Sequence, residues 1–416
     1  MKVLHVTTSS KGGAGIAALR LHEALCKSGV LSAYISTNLT IDFNNKAIED
    51  SFFCYKKPSL LKKIIIKIVD LFTISKNKKI VNDFHLLEKK MQFEIATLPF
   101  SKYKLHEHPL VKEADIINLH WIDGIVDYAS FFQNCTKPIV WTFHDMNPFL
   151  GIFHYKNDEI ANTEIALSFD SRIKKIKKDT IKCIKHGVLV TPSKWLLEEA
   201  LKTDVYTDFE KISIPNSIDF EVFKILNKNE LRIKYDIKEN EFVVLFVADS
   251  IKNHRKGFDI LSNSLALLEN SNITIVTVGK GVIPMIDNLK IISLGEIKTS
   301  SKMAECYSLA DVFVLPSRED NLPNVMLESF ACGIPMIGFN VGGIAEHTIE
   351  NVTGILATEI SAEALAFAIT QMKITIKKYN SDTIRKYAFE NFSNKKQAEL
   401  YIKIYNSIFN KTQVKS

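Results

Sequence analysis

PSREDNLPNVMLESFACGIPMIGFNVGGIAE, running from Pro316 to Glu346, places two acids, two glycine turns and a helix start on one edge of a sheet. VFVLP, ending at Pro316, reads as a short buried strand. Pro323 suits the first turn of a helix that Gly333 and Pro335 close. Glu328 then falls one to two turns into that helix. Glu319 and Asp320 sit in the preceding loop, at the carboxyl end of the strand, where open parallel α/β sheets bind their ligands. The helix start beside them offers unpaired N–H groups to a phosphate.

The same strand, loop and helix unit recurs on either side. KVLHVTTSS is a strand entering a loop, and KGGAGIAALRLHEALCKSG is a glycine turn leading into an amphipathic helix that ends at Gly29. Gly12, Gly13 and Gly15 do not form the GxGxxG fingerprint, which argues against a nicotinamide dinucleotide. ADIINLHW carries a strand that ends on His120 and Trp121, and PIVWTFHDMNPF carries one that ends on His144 and Asp145. Both deliver titratable side chains just past apolar strands. VTPSKWLLEEAL gives a further strand with Ser193 as a helix cap. From Phe242, FVVLFVA opens a new series, and the basic loop after it sets Arg255 and Lys256 immediately before Gly257. A guanidinium and an ammonium at a helix entrance can neutralise a diphosphate and the charge that grows on it as a group departs. Strands and helices alternate in both halves, which predicts an α/β chain with two doubly wound sheets.

A chain of 416 residues is too long for one comfortable core, so two domains are expected. The boundaries read as 1–220, a polar linker over 221–240, a second domain over 241–392, and a terminal helix and tail over 393–416. A hydrophobic content of 46% fits a globular protein. The net charge of +6 comes from lysines dispersed along the chain, so no nucleic-acid partner is expected. Six cysteines without a CxxC pair read as reduced core residues of a cytoplasmic protein. The opening MKVLHVTTSSKGG has too short an apolar run for a secretory signal, and eighteen consecutive uncharged apolar residues occur nowhere. SLLKKIIIKIVDLF, residues 59–72, sets Lys62, Lys63 and Lys67 on one side of a helix and its aliphatic residues on the other. Its first reading is a helix packed on its own domain; its second is peripheral contact at the inner face of the cell membrane.

From Asp320 to Glu328 is the spacing of the paired acids in retaining glycosyltransferases of family 4, whose motif is glutamate, seven residues, glutamate. DNLPN, ESFACG and GGIAE resemble the branch that builds bacterial exopolysaccharides such as colanic acid, with DNLPN, EALACG or ESLACG, and GGIPE. LHW and WTFHDMNPFLGIFHY resemble the same branch's LHW and WTLHDMWPFTGGCHY, and RKGF fits its pattern too. The chain departs by Asp for the first Glu, by Asn147, Leu150 and Phe153, and by lacking the cysteine cluster of relatives, so nothing of that cluster is carried over.

The resemblance implies a GT-B fold, with two Rossmann-like domains facing a cleft and a C-terminal helix crossing back to the first. It implies a metal-independent, retaining hexosyltransferase that needs no cofactor, with a nucleotide-diphosphate sugar as substrate. The acceptor implied is a glycan, foremost a lipid-linked oligosaccharide in surface polysaccharide synthesis. The catalytic residues carried over are His144, Arg255, Lys256 and Asp320. Gly13, Asn321, Leu322, Pro323 and Glu328 would bind the donor, with Glu328 on the ribose hydroxyls; Gly12, His120 and Asp145 would lie on the acceptor side. His144 would hydrogen-bond a sugar hydroxyl or the donor phosphate, and no residue is assigned to a metal. Two other functions share the pattern: a nucleotide-sugar epimerase of GT-B fold, which works without an acceptor, and a degenerate, non-catalytic glycan or nucleotide-sugar binder. No local motif encodes the sugar, the base, the acceptor or the linkage, because pocket shape sets them.

Overall fold

Short, largely apolar runs are buried along their whole length at Ile116–Leu119, Val312–Leu315 and Met336–Phe339, as parallel strands covered on both faces by helices must be. In the computed structural model, which describes residues 1–39, 51–54, 76–268, 272–283 and 289–413, such runs pair into two wholly parallel sheets. The first contains β1 (Lys2–Val6), β2 (Leu31–Ser36), β3 (Phe52–Cys54), β4 (Ile116–Leu119), β5 (Ile139–Thr142), β6 (Gly187–Thr191) and β7 (Glu210–Ser213), in the order β3-β2-β1-β4-β5-β6-β7. The second contains β8 (Phe242–Ser250), β9 (Ile273–Lys280), β10 (Lys290–Ser293), β11 (Val312–Leu315), β12 (Met336–Phe339) and β13 (Gly354–Ala357), in the order β10-β9-β8-β11-β12-β13. Each order reverses once, between β1 and β4 and between β8 and β11. Loops leaving those strands diverge, and the crevice they open is where such sheets take ligands. The expected pair of doubly wound sheets is present.

The chain divides into one unit of Met1–Thr191, Leu196–Ser213 and Ala398–Ser416, and another of Pro192–Trp195 and Ile214–Gln397. The stretch 221–240, read as a linker, is instead part of the second unit. Asn227 caps a helix at Lys228–Lys234, Leu231 and Ile237 enter the core, and the buried Arg232 guanidinium pairs with Asp311 at 2.6 Å. Its polar composition comes from a cap and from the exposed face of a short helix. The final helix, Asn394–Gln413, returns to the first unit: the Tyr401 hydroxyl lies 3.0 Å from Thr142 Oγ1, and Asn118 Nδ2 donates to the Tyr405 hydroxyl at 2.7 Å.

All six cysteines are unpaired, but only Cys306 and Cys332 are buried, while Cys54 and Cys183 are exposed, so the expectation of core positions holds for only part of the set. The amphipathic segment 59–72 lies outside the described residues. Among the described residues no helix is long and apolar enough to cross a membrane.

Candidate functional site

In the second unit, the loops after β8 and β11 bring three of the expected catalytic residues together. Asn253 accepts the Arg255 N–H and starts a single 3-10 turn, His254–Lys256, which Gly257 ends in the left-handed region at φ 69°. A Cβ at Gly257 would stand 1.9 Å from the Pro316 carbonyl oxygen, so glycine is what lets this turn lie against the end of β11. Across that contact Lys256 Nζ reaches Asp320 Oδ2 at 2.5 Å and Arg255 Nη1 lies 3.3 Å from the same oxygen. Arg255 Nη1 also donates to the Glu319 carbonyl at 2.9 Å, and the Asn321 N–H donates to Asp320 Oδ1 at 3.2 Å. Burial pushes the Asp320 carboxyl up, but Lys256, Arg255 and their hydrogen bonds together outweigh it and hold it below the usual carboxylate range. The result is an ionised carboxylate gathering two cations.

Pro323 precedes the helix Asn324–Ala331 by one residue, so it stands at the cap and not inside the first turn. Glu328 falls within that helix and accepts a hydrogen bond from the buried Tyr307 hydroxyl at 3.0 Å. Asn321 is held by Ser193, whose hydroxyl donates to its Oδ1 at 2.5 Å. At the start of the helix Lys194–Leu201, the N–H groups of Lys194 and Trp195 donate to the Glu346 carboxylate, at 3.1 and 2.7 Å. Gly342 and Gly343 back the acidic loop; the Gly343 N–H donates to the Asn321 carbonyl at 2.7 Å.

In the first unit, the loops after β4 and β5 join His120, His144 and Asp145 around a small cavity lined also by Trp121, Asp123, Tyr128 and Asn147. Trp121 Nε1 donates to Asp145 Oδ2 at 3.0 Å, and His154 Nδ1 lies 2.6 Å from the same oxygen. Burial lowers the His154 pKa, but the carboxylates of Asp145 and Asp123 overcome that and raise it above its ordinary value. The buried Lys177 ammonium donates to the Asn147 carbonyl and side chain, both at 2.7 Å. Gly12 and Gly13 begin the helix Gly12–Lys27 and are exposed. Among the described residues no group of three or more His, Cys, Asp and Glu is placed to hold a metal.

The buried histidines set an acid limit on the first unit. Burial lowers the pKa of His22 to about 3 and of His144 to about 4, against an unfolded value of 6.5. Below pH 6.5 the unfolded chain therefore binds more protons than the native one, so stability falls with pH, by up to about 1.4 kcal/mol per pH unit for each such imidazole. His154 acts in the other sense: its contribution is present below the unfolded pKa and is lost on the alkaline side. The urea midpoint followed by fluorescence of the buried Trp141 is expected to drop from pH 7 to pH 5; an unchanged midpoint would contradict the neutral assignment.

With this geometry in place, comparison with known proteins is informative. Residues 241–373 match the family model described as glycosyl transferases group 1. The matched segment spans β8 to β13 and so includes Arg255, Lys256, Asp320 and Glu328. N-acetyl-alpha-D-glucosaminyl L-malate synthase of Bacillus anthracis is 24% identical over 207 residues, 47% of this chain and 53% of that protein. The capsular polysaccharide biosynthesis glycosyltransferase CapM of Staphylococcus aureus is 24% identical over 344 residues, 74% of this chain and 87% of CapM. The chain thus spans about half the length of the first of these relatives. Among solved structures, Anabaena HepE in complex with UDP-glucose superposes with a TM-score of 0.67 at 15% identity, covering 98% of this chain and 100% of HepE. The fold is GT-B.

Sequence reasoning reached the acids and cations of the matched segment but not Tyr307, which lies on the helix Ser300–Leu309 and meets Glu328 only through packing. It also passed over His5 and His154. The second histidine of FHDMNPFLGIFH was the available signal for His154; for His5 it was the LHV of the first strand.

Proposed function

We propose that the chain is a retaining glycosyltransferase that moves a sugar from a nucleoside-diphosphate donor to a glycan, foremost a lipid-linked oligosaccharide, in bacterial surface polysaccharide synthesis. The observation that carries this reading is the buried Asp320 carboxylate holding Lys256 and Arg255 in the loops of the segment that matches the group 1 model. HepE, of like fold, binds UDP-glucose, and CapM is a capsular polysaccharide glycosyltransferase; both support this class of donor and product.

In the proposed reaction the two cations take the diphosphate, and the N–H groups at the start of the helix Asn324–Ala331 add positive potential. Glu328, oriented by Tyr307, accepts from the ribose hydroxyls. The bond from the anomeric carbon to the phosphate oxygen breaks, and the bond to the acceptor oxygen forms on the same face. The acceptor's proton passes to the departing phosphate oxygen, so neither a protein nucleophile nor a metal is required. His144 hydrogen-bonds a sugar hydroxyl.

Incubation with a panel of nucleotide sugars, with and without lipid-linked oligosaccharide, tests this reading. Product is expected only when both substrates are present, with an α-linked anomeric proton from an α donor and at full rate in excess EDTA. A β linkage, EDTA inhibition reversed by magnesium, or conversion of the nucleotide sugar without acceptor would overturn it.

A further inference from the structure

Three imidazoles stand side by side in the first unit because β1, β4 and β5 are neighbours: His5 on β1, His120 just past β4 and His144 just past β5. His5 Nδ1 lies 2.9 Å from His120 Nε2, and His120 Nδ1 lies 3.1 Å from His144 Nε2. Successive rings are stacked at 23° and 27°. Burial holds all three neutral, with the like charges of neighbouring histidines adding to the effect at His5 and His120. A neutral imidazole has one N–H and one lone pair, so a chain of three must run in a single direction.

The far end chooses the direction. His5 Nε2 is buried and has no hydrogen-bond partner among the described residues. The nearby His22 ring has both nitrogens engaged by the hydroxyls of Ser32 and Ser51, at 2.7 and 2.8 Å. If the chain ran from His144 towards His5, the terminal proton would sit on that orphaned nitrogen, and buried N–H groups without an acceptor are rare. Running from His5 to His120 to His144, every N–H of the chain between them is used and only a lone pair is left bare.

We infer that His5 and His120 lock His144 in the tautomer protonated on Nδ1, with its Nε2 lone pair already occupied, so that His144 can donate a hydrogen bond but cannot act as a base. His5 is then a positioning residue acting through His120. The consequence for catalysis rests on the proposed transfer reaction, in which the acceptor's proton must go to the phosphate oxygen; the tautomer itself does not depend on that reaction.

Long-range proton–nitrogen NMR of the full chain labelled with 15N in histidine is the test. His144 is expected to show a protonated Nδ1 and a bare Nε2. His5→Asn keeps an N–H donor in place of Nδ1 and should retain that pattern. His5→Asp offers only an acceptor, so it should reverse the chain and move the His144 proton to Nε2. In transfer assays kcat of His5→Asp should fall at least tenfold below that of His5→Asn at similar donor KM. Nε2-protonated His144 in the native chain, or an unmoved proton in His5→Asp, overturns the inference. If His5→Asp does not fold, the native and His5→Asn spectra still decide. Absence of transfer together with the expected tautomer would refute the proposed function and leave the lock standing.

Discussion

Lys256→Ala is expected to lower the rate of sugar transfer a hundredfold or more while leaving the second unit folded. Removing one preorganised stabiliser of developing charge costs on the order of 100- to 1,000-fold in rate. The ammonium is held 2.5 Å from Asp320, in the loops where ligands of such sheets bind, so it needs no reorganisation when the phosphate departs. The fold should survive because Asp320 keeps Arg255 at 3.3 Å and the Ser317 hydroxyl at 3.3 Å, so the buried carboxylate is not left without a partner. The measurements are turnover with saturating donor and acceptor, and thermal unfolding of the same preparation. Near-normal turnover in a well-folded Lys256→Ala variant would remove the diphosphate role assigned to this pair.

The second large effect is structural. Gly342 has φ 52°, and a Cβ there would stand 1.6 Å from the Asp320 carbonyl oxygen and 2.9 Å from its carbon. Gly342→Ala thus combines a left-handed backbone, worth about 1–2 kcal/mol for a residue with a side chain, with overpacking worth about 1–3 kcal/mol. For a unit of this size that corresponds to a loss on the order of 10 °C in Tm. Relief of the clash must move the Asp320 backbone, so donor affinity should fall even at temperatures where the variant is folded. Gly295→Ala is the control: Gly295 has φ 63° but nothing within 4 Å of an added Cβ, so it should show only the backbone cost. Equal losses in Tm and donor affinity for the two variants would show that the contact with Asp320 is not what matters.

Much of this was legible in the sequence. The strands β1, β4, β5, β6, β8 and β11 could be seen because they are largely apolar runs that end at loops rich in glycine and polar residues, and the site acids lie close together in one such loop. By contrast β7, with the sequence EKIS, carries no such signal. What the sequence hid depends on which strands and helices become neighbours. Tyr307 and Glu328 meet through the packing of two helices, and His5, His120 and His144 meet only because β4 inserts between β1 and β5. The segment 221–240 was misread because its composition resembles a linker, while its few apolar residues, Leu231 and Ile237, fill a core. Glu346, which accepts from the N–H groups of Lys194 and Trp195, escaped notice because it is remote from them in sequence.

The tyrosines of the final helix bear on the order of events during synthesis. Asn118 and Thr142, each two positions before a site histidine, bond to the hydroxyls of Tyr405 and Tyr401. Residues 1–213 leave the ribosome long before those tyrosines are made. At about 5–20 residues per second, the first sheet waits on the order of tens of seconds for its last partners. A nascent chain arrested anywhere before Tyr401 therefore carries Asn118 and Thr142 without the two hydroxyls that bond to them in the finished chain.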